Sequence, residues 1–397
     1  DIYNEFNYGH KEPSTIKQFL KHTYYNWSQP APSYVVMFGD ACIDFKKKMP
    51  STTKVDYVPG FGIPMSDNQM VCFDSVYYFI PSMNIGRIPV ENSVQAGRVV
   101  TKIINYDNPP YDSWNKKTLF IAGGTDNSER WQFNALSDLL INESITPSPL
   151  GGEAYKVYKT SSAIIDGDSK QYMQGLVNEG LSFMNFIGHS GGRIWNVDIG
   201  NPNDLQNTNG KLPFVSSVSC NVGAFYSNFA NVLSEDFLMA DNRGGIASWA
   251  SSNIGSAQTG YWLAKKFLSE AVRESLRTFG ELTTASRINF WAINGYVITP
   301  TIIHTLNLYP LLGDPYSKYA LPLKPDFVLK PEYITYTPET PLADNFVYLK
   351  INVHNYGLMP ADSFLVSIRD NFTDELGMHK GESDIVAPFK CRPIAYS

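Results

Sequence analysis

The sequence predicts an α/β protein, a mostly parallel sheet with helices on both faces, followed by an all-β module at the C-terminal end. Three observations predict it. Short, near-continuously apolar runs such as YVVMF (34–38) and LSFMNFI (181–187) have the length of strands buried on both faces. These runs alternate with segments of helical period, the order that builds parallel βαβ units. After Leu323 the helical period disappears and apolar and polar residues alternate with period two.

Taken in order, residues 14–28 place Ile16, Phe19, Leu20 and Tyr24 on one stripe, with Ser14 as N-cap. YVVMFGD (34–40) reads as a buried strand ending in Gly-Asp, and 45–70 as a loop rich in Pro and Gly. A helix capped by Asn92 or Ser93 spans 92–106, and KTLFIAGG (117–124) is the next buried strand. Helices at 128–141 and 168–179 flank the strand at 154–160. LSFMNFIG (181–188) and LPFVSSVS (212–219) are strands separated by a polar loop, 190–211. A further strand at 244–251 is followed by helices at 257–275 and 279–294. FVYLKINVHNYG (346–357) and DSFLVSIRD (362–370) alternate as half-exposed antiparallel strands do. The predicted division is an N-terminal α/β subdomain over 1–115, a second over 116–324, and a β-sandwich module over 325–397. At 73 residues that module is short of the ~100 of an immunoglobulin-type fold, so truncation before its last strand is expected.

Composition excludes several classes. With 397 residues, 43% hydrophobic and 18% charged, the chain can build a large core and is not a disordered protein. The net charge is −6 and no basic run exceeds Lys46-Lys47-Lys48, so a nucleic-acid partner is not expected. No apolar run approaches the ~18 residues of a spanning helix. The first residue is Asp, which predicts a mature or excised form whose targeting element lies elsewhere. Cys42, Cys72, Cys220 and Cys391 are too far apart for a zinc knuckle or a CxxC pair, and too few for a disulfide scaffold.

Two strand ends carry the chemistry. NFIGHSGG (185–192) puts His189 directly after an apolar strand, between glycines, and PFVSSVSCNVGAF (213–225) puts Cys220 at the end of the next. In parallel sheets functional groups gather beyond the carboxyl ends of the strands. If these two strands are neighbours, an imidazole that accepts and returns a proton faces a thiol that becomes a nucleophile as thiolate. The amides of Cys220 and of Ser190 or Gly191 are the candidate oxyanion donors. Taken singly, each residue has a plainer reading: a cysteine ending a buried strand is a small hydrophobe, and Gly-His-Ser is a turn. Their occurrence at successive strand ends is what favours catalysis.

The strand-GHS-GG and strand-SCNVGAF blocks resemble the gingipain-type cysteine peptidases, the C25 peptidase family, whose core is similar to that of caspases. DIYNEF (1–6), SYVVMFGDACIDF (33–45), SDNQMVCFD (66–74), NIGRIPV (84–90), GGIASWASSNIGS (244–256) and LYPLLGDPYSKYALP (308–322) follow the family's run in order, so the resemblance covers about residues 1–322. It implies that Cys220 is the nucleophile and His189 the base, with protein or peptide as substrate. The family's histidine usually sits in Gly-His-Gly. Here Ser190 follows it, and the backbone N–H, the only group needed at that place, is retained. The implied third member is an acid after the strand at 117–124, for which Asp126 is the best match and Glu129 the second. Asp126 and Ser128 also read as helix caps, with Glu129 in the first turn.

The same resemblance implies a secreted or cell-surface bacterial protein, in contact with cell-surface or secretion machinery. No cofactor is required for the implied chemistry. Structural calcium is a family trait, for which Asp40, Asp44, Asp56, Asp67 and Asp74 offer oxygens without an EF-hand spacing. Two other readings stand beside the endopeptidase: a sortase-like transpeptidase in which an amine replaces water, and a surface or adhesion protein that keeps the fold without turnover. Asp198 and Asp204 are the acids in the 190–211 loop, and Trp195, Trp249 and Tyr226 are candidate walls of a substrate groove. Cys391 and His354 read as structural or surface residues.

Overall fold

In the computed structural model the described residues are 1–109, 111–160, 167–208, 210–228, 230–273, 275–340 and 347–360, with the backbone of 364–369 and 382–387. Strands β1 (Tyr34–Phe38), β2 (Asn84–Ile88), β3 (Lys117–Ala122), β4 (Glu153–Tyr158), β5 (Phe183–Ile187), β6 (Phe214–Val218), β7 (Ala247–Ala250) and β8 (Leu311–Leu312) form one sheet. Their order is β1-β2-β8-β7-β6-β5-β3-β4. β1 and β2 pair parallel, as do all neighbours from β7 to β4, while β8 runs antiparallel to β7. The helices are α1 (Ile2–Asn7), α2 (Pro13–Asn26), α3 (Ser93–Asp107), α4 (Asn127–Leu140), α5 (Gly167–Glu179), α6 (Leu233–Met239), α7 (Ala257–Ala271), α8 (Phe279–Ile293) and α9 (Pro300–Leu308). The mixed α/β class with a mostly parallel sheet, expected from the apolar runs, is what forms.

Alternation along the central strands divides the core into two layers. Phe120 and Ala122 of β3, Phe183 and Ile187 of β5, and Phe214 and Val218 of β6 face α4, α7 and α8. Leu119 and Ile121, Met184 and Phe186, and Val215 face α5 and α6 on the other side. Phe183 and Phe214 stack within 6.2 Å and are fully buried, each contributing on the order of 2–3 kcal/mol by removal from water. Residues that face protein on both sides leave no polar alternation, which is why these strands read as continuous apolar runs.

Several features depart from the sequence reading, among them helices α1 and α6, which it did not name. α2 begins at Pro13, whose missing N–H falls where no helical bond is made, so Ser14 lies inside the first turn and does not cap it. β2 was hidden by Arg87, a charge in the middle of a buried strand. Its guanidinium pairs with Asp67 at 2.6 Å and donates to the carbonyls of Gly39 (2.6 Å) and Val58 (2.8 Å), against the ring of Phe225. α9 and the two-residue β8 are too short or too uniformly apolar for a period to show. α4 continues into a π-helical turn, Ile141–Ile145, under the following loop.

Beyond the sheet, β9 (Phe327–Val328), β10 (Ile334–Thr337), β11 (Tyr348–Ile351), β12 (His354–Asn355), β13 (Phe364–Arg369) and β14 (Glu382–Ala387) pair antiparallel as β10–β11, β9–β12 and β13–β14. This segment is tied to the α/β core: Leu358 N–H donates to the Pro322 carbonyl (3.2 Å), Met359 N–H to that of Pro149 (2.8 Å), and Lys116 Nζ to that of Gly357 (2.8 Å). His354 is exposed with its ring 4.3 Å from that of Tyr333. Cys391 lies outside the described residues.

Removing one partner of a buried, hydrogen-bonded ion pair leaves the other charge uncompensated. Arg87→Met should therefore lower unfolding free energy by about 3–5 kcal/mol in denaturant titration. A loss under about 1 kcal/mol would mean that Asp67 finds another partner and that the 39–67 loop does not depend on Arg87.

Candidate active site

The sheet register sets the site. Ala122 of β3, Ile187 of β5 and Val218 of β6 stand in one row across adjacent strands. Each strand ends there, and polar groups follow close behind: Thr125 and then Glu129, in the first turn of α4, beyond β3, His189 beyond β5 and Cys220 beyond β6. Gly123 N–H still donates to the Ile187 carbonyl (2.8 Å) and Gly188 N–H to that of Val218 (3.2 Å), so the turns start from a fixed level.

The histidine turn is braced from below. Asn196 N–H donates to the His189 carbonyl (2.9 Å) and Gly191 N–H to that of Ile194 (3.1 Å). The Asn196 amide lies where side chains at 123 and 188 would be: a Cβ on Gly123 would stand 2.0 Å from its Oδ1, and one on Gly188 2.7 Å. A side chain at either position would force the Asn196 amide aside. Trp195 anchors the loop in the core, stacked on Phe186 at 4.6 Å, with Nε1–H donated to Ser217 Oγ (3.0 Å) on β6.

His189 Nε2 lies 3.0 Å from Glu129 Oε1, and the imidazole edge packs on Phe133 of α4. The other carboxylate oxygen accepts the Thr125 hydroxyl and the Thr125 N–H (2.9 Å). The Thr125 hydroxyl above all, then its amide and His189, hold the Glu129 carboxyl far below its ordinary value of 4.5, at about 2. Asp126 does not reach the histidine. It is the N-cap of α4, accepting the Glu129 N–H at 2.9 Å, so the carboxylate at the imidazole is that of the residue ranked second in sequence. A cap and a first-turn acid three residues on is a helix-start pattern, and sequence does not say whether that acid turns inward or toward a neighbouring strand.

Cys220 is a half-buried free thiol, whereas Cys42 and Cys72 are buried. Burial pushes the Cys72 thiol up to about 11, and its Sγ lies 3.1 Å from the Asn68 carbonyl. The side chain of Ser190 bridges to the cysteine turn by donating its hydroxyl to the Cys220 carbonyl. The amides of Ser190 and Cys220 donate to no acceptor among the described residues. The Gly191 amide, the other oxyanion candidate, is taken by Ile194.

Other candidates are placed elsewhere. Trp195 and Trp249, each 2% exposed, belong to opposite core layers and wall no groove. Tyr226 is half-buried with its hydroxyl on the Ser252 carbonyl (2.7 Å). Asp198 pairs with Lys170 at 2.9 Å, and Asp204 ends a short 3-10 turn. The five aspartates considered for calcium are engaged by protein donors. Asp44 accepts from Lys48 N, Met49 N and Thr52 Oγ1, each at 2.7 Å, and Asp67 pairs with Arg87. Asp40 pairs with Lys54, Asp56 with Lys11, and Asp74 accepts the amides of Val76 and Tyr77. Among the described residues no three His, Cys, Asp or Glu side chains converge.

Residues 1–320 match peptidase family C25, and the chain belongs to that family, which makes it a cysteine-type peptidase. Among solved structures it is similar to the Arg-specific cysteine proteinase gingipain R, with 20% identity and a TM-score of 0.59 over 80% of this chain and 71% of that one. It is similar also to the complex of the pro- and mature domains of RgpB from Porphyromonas gingivalis, with 18% identity and a TM-score of 0.60 over 96% of this chain and 83% of that one. A structure described as a protease matches with 16% identity and a TM-score of 0.60, over 96% and 87% of the two chains. At these identities the likeness is one of fold. No curated protein matches the chain.

The two acids at the start of α4 have different roles, and substitutions should separate them. Asp126→Ala should cost about 1 kcal/mol in denaturant unfolding, the usual loss of a cap, while Glu129 stays at the imidazole. The Glu129 carboxyl, followed by carbon NMR, should titrate near 2 and move toward 4.5 in Thr125→Val. Because its folded value is depressed, its stabilising contribution is complete above about 4.5 and is lost as pH falls to about 2. An unshifted midpoint in the wild-type protein would remove the Thr125 contact from the account.

Proposed function

We propose that the chain is a secreted or cell-surface bacterial cysteine endopeptidase that hydrolyses peptides through an acyl-enzyme on Cys220, with His189 as base and then acid and Glu129 orienting the imidazole. The observation that supports this reading is the row of three neighbouring strand ends, from which Glu129, His189 and the half-buried Cys220 follow in adjacent segments, with the Glu129 carboxylate at the imidazole.

With Nε2–H donated to Glu129, the other ring nitrogen, Nδ1, is the basic one. It takes the Cys220 proton, and the thiolate attacks the scissile carbonyl carbon. The electron pair of the C=O bond moves onto oxygen. The free amides of Ser190 and Cys220 are suited to hold that oxyanion, each donor of this type being worth on the order of 10²–10³ in rate. Collapse breaks the C–N bond as the imidazolium returns its proton to the leaving amine. Water then adds to the thioester, giving its proton to His189, and the acid leaves as the thiol re-forms. Glu129, ionised at any pH above about 2, steadies the imidazolium at both stages. The domains of this reading divide at 115/116 and 324/325; the second boundary is supported by the family match, which ends at residue 320, and by the antiparallel strand pairs that follow, read here as an Ig-like spacer. Among the described residues no helix is long and apolar enough to cross a membrane.

A peptidyl chloromethylketone should label Cys220 ahead of Cys42, Cys72 and Cys391, and Cys220→Ala should abolish both labelling and hydrolysis of a peptide library. Glu129→Gln should lower kcat/KM by about 10²-fold, against little change in Asp126→Ala. An added amine that captures the acyl group more readily than water would make the protein a transpeptidase. Even labelling of all four thiols with no turnover would leave a non-catalytic surface protein.

A further inference from the structure

We propose that the Ser190 side chain, not only its amide, serves the reaction: its hydroxyl is a positioning group that couples the histidine turn to the nucleophile turn. This inference rests on the peptidase reading above and adds a residue to it.

The peptide unit that follows the nucleophile is held at both ends. Its carbonyl, that of Cys220, accepts the Ser190 hydroxyl, and its N–H, that of Asn221, donates to the Asn253 carbonyl at 3.0 Å. Asn221 sits at φ 62°, a left-handed conformation that asparagine tolerates, so the chain turns sharply at this point. Gly223 N–H adds a bond to the Ser251 carbonyl (2.8 Å). The cysteine turn is thus fixed to the loop after β7 on one side. On the other side Ser190 is, among the described residues, the one side chain that bonds from the 189–192 turn to the 219–223 turn.

The histidine turn is closed on itself by the Asn196 and Gly191 bonds. Each turn is therefore internally rigid, and the serine hydroxyl sets one against the other. What it sets is the orientation of the Cys220–Asn221 peptide plane, on the carboxyl side of the nucleophile, and through the Cys220 backbone the approach of the thiol to the imidazole. Errors of about an ångström in such placement fall on the transition state rather than on ground-state binding. A half-exposed serine has water as an alternative acceptor, so the bond is a choice of geometry rather than a need of the fold.

The test compares Ser190→Ala and Ser190→Thr with wild type in the full chain. In the alanine variant kcat should fall about three- to tenfold with KM held within about twofold, and melting temperature should hardly move. Backbone hydrogen exchange over residues 219–225 should accelerate. Threonine, which keeps the hydroxyl, should restore both kcat and exchange. Unchanged kcat and unchanged exchange in Ser190→Ala would overturn the proposal. So would a rise in KM alone, since the hydroxyl would then be contacting substrate. If the wild-type protein neither turns over nor labels at Cys220, the peptidase reading fails. The exchange comparison still decides the coupling in that case: faster exchange upholds it and equal exchange ends it.

Discussion

Three parallel strands that stop at the same level impose the geometry on which the rest of the site depends. Because Ala122, Ile187 and Val218 share a row, the residues that follow them leave the sheet together, and neighbouring strands ~4.8 Å apart keep their turns within side-chain reach. The core enforces that register. A slip of one residue on β5 would send Phe183 and Ile187 to the face that receives Met184 and Phe186, disrupting both layers at once. Packing energy spread over two buried layers is thereby converted into the position of one imidazole and one thiol.

The turns themselves carry little packing, and they are held instead by polar contacts with few alternatives. Trp195 is driven under the sheet edge by burial and fixes the histidine loop through Ser217 of the adjacent strand. The long segment after Cys220 rests on a buried triad: Lys54 lies 2.7 Å from Asp40 and 3.0 Å from Glu235. Glu235 also accepts the Val232 N–H (2.7 Å) at the start of α6. Burial raises both acids above their ordinary values, and the single lysine opposes the rise in each. Such a cluster contributes position more than stability, since desolvation of its charged groups offsets much of their attraction. Its place in the fold, joining the loop after β1 to the helix after Cys220, agrees with that role.

Charge and hydrogen bonding at the site follow from the same economy of donors. Glu129 divides its two oxygens between Thr125 and His189, so its ionisation is secured from within its own turn before the imidazole is considered. Asp126, one turn of thought away in sequence, is spent on the helix terminus. At residue 190 sequence reasoning valued the backbone and passed over the side chain. The hydroxyl is nonetheless what joins the two turns.

The sequence by itself determined the class of fold and the central strands, because continuous apolar runs report burial on both faces, and it put His189 and Cys220 just beyond two strands that prove to be neighbours in the sheet. Its limits were physical too. Arg87 concealed β2, since a buried cation reads as surface until Asp67, twenty residues away in the chain, is seen beside it. Trp195 and Trp249 read as groove walls because large aromatics suit a surface site as well as a core, and only their position under the sheet settles which. The choice of Glu129 over Asp126 at the imidazole, and the reach of Ser190 to Cys220, were decided by tertiary structure alone. Both depend on side-chain direction between elements that are distant in sequence, and no local pattern encodes that direction.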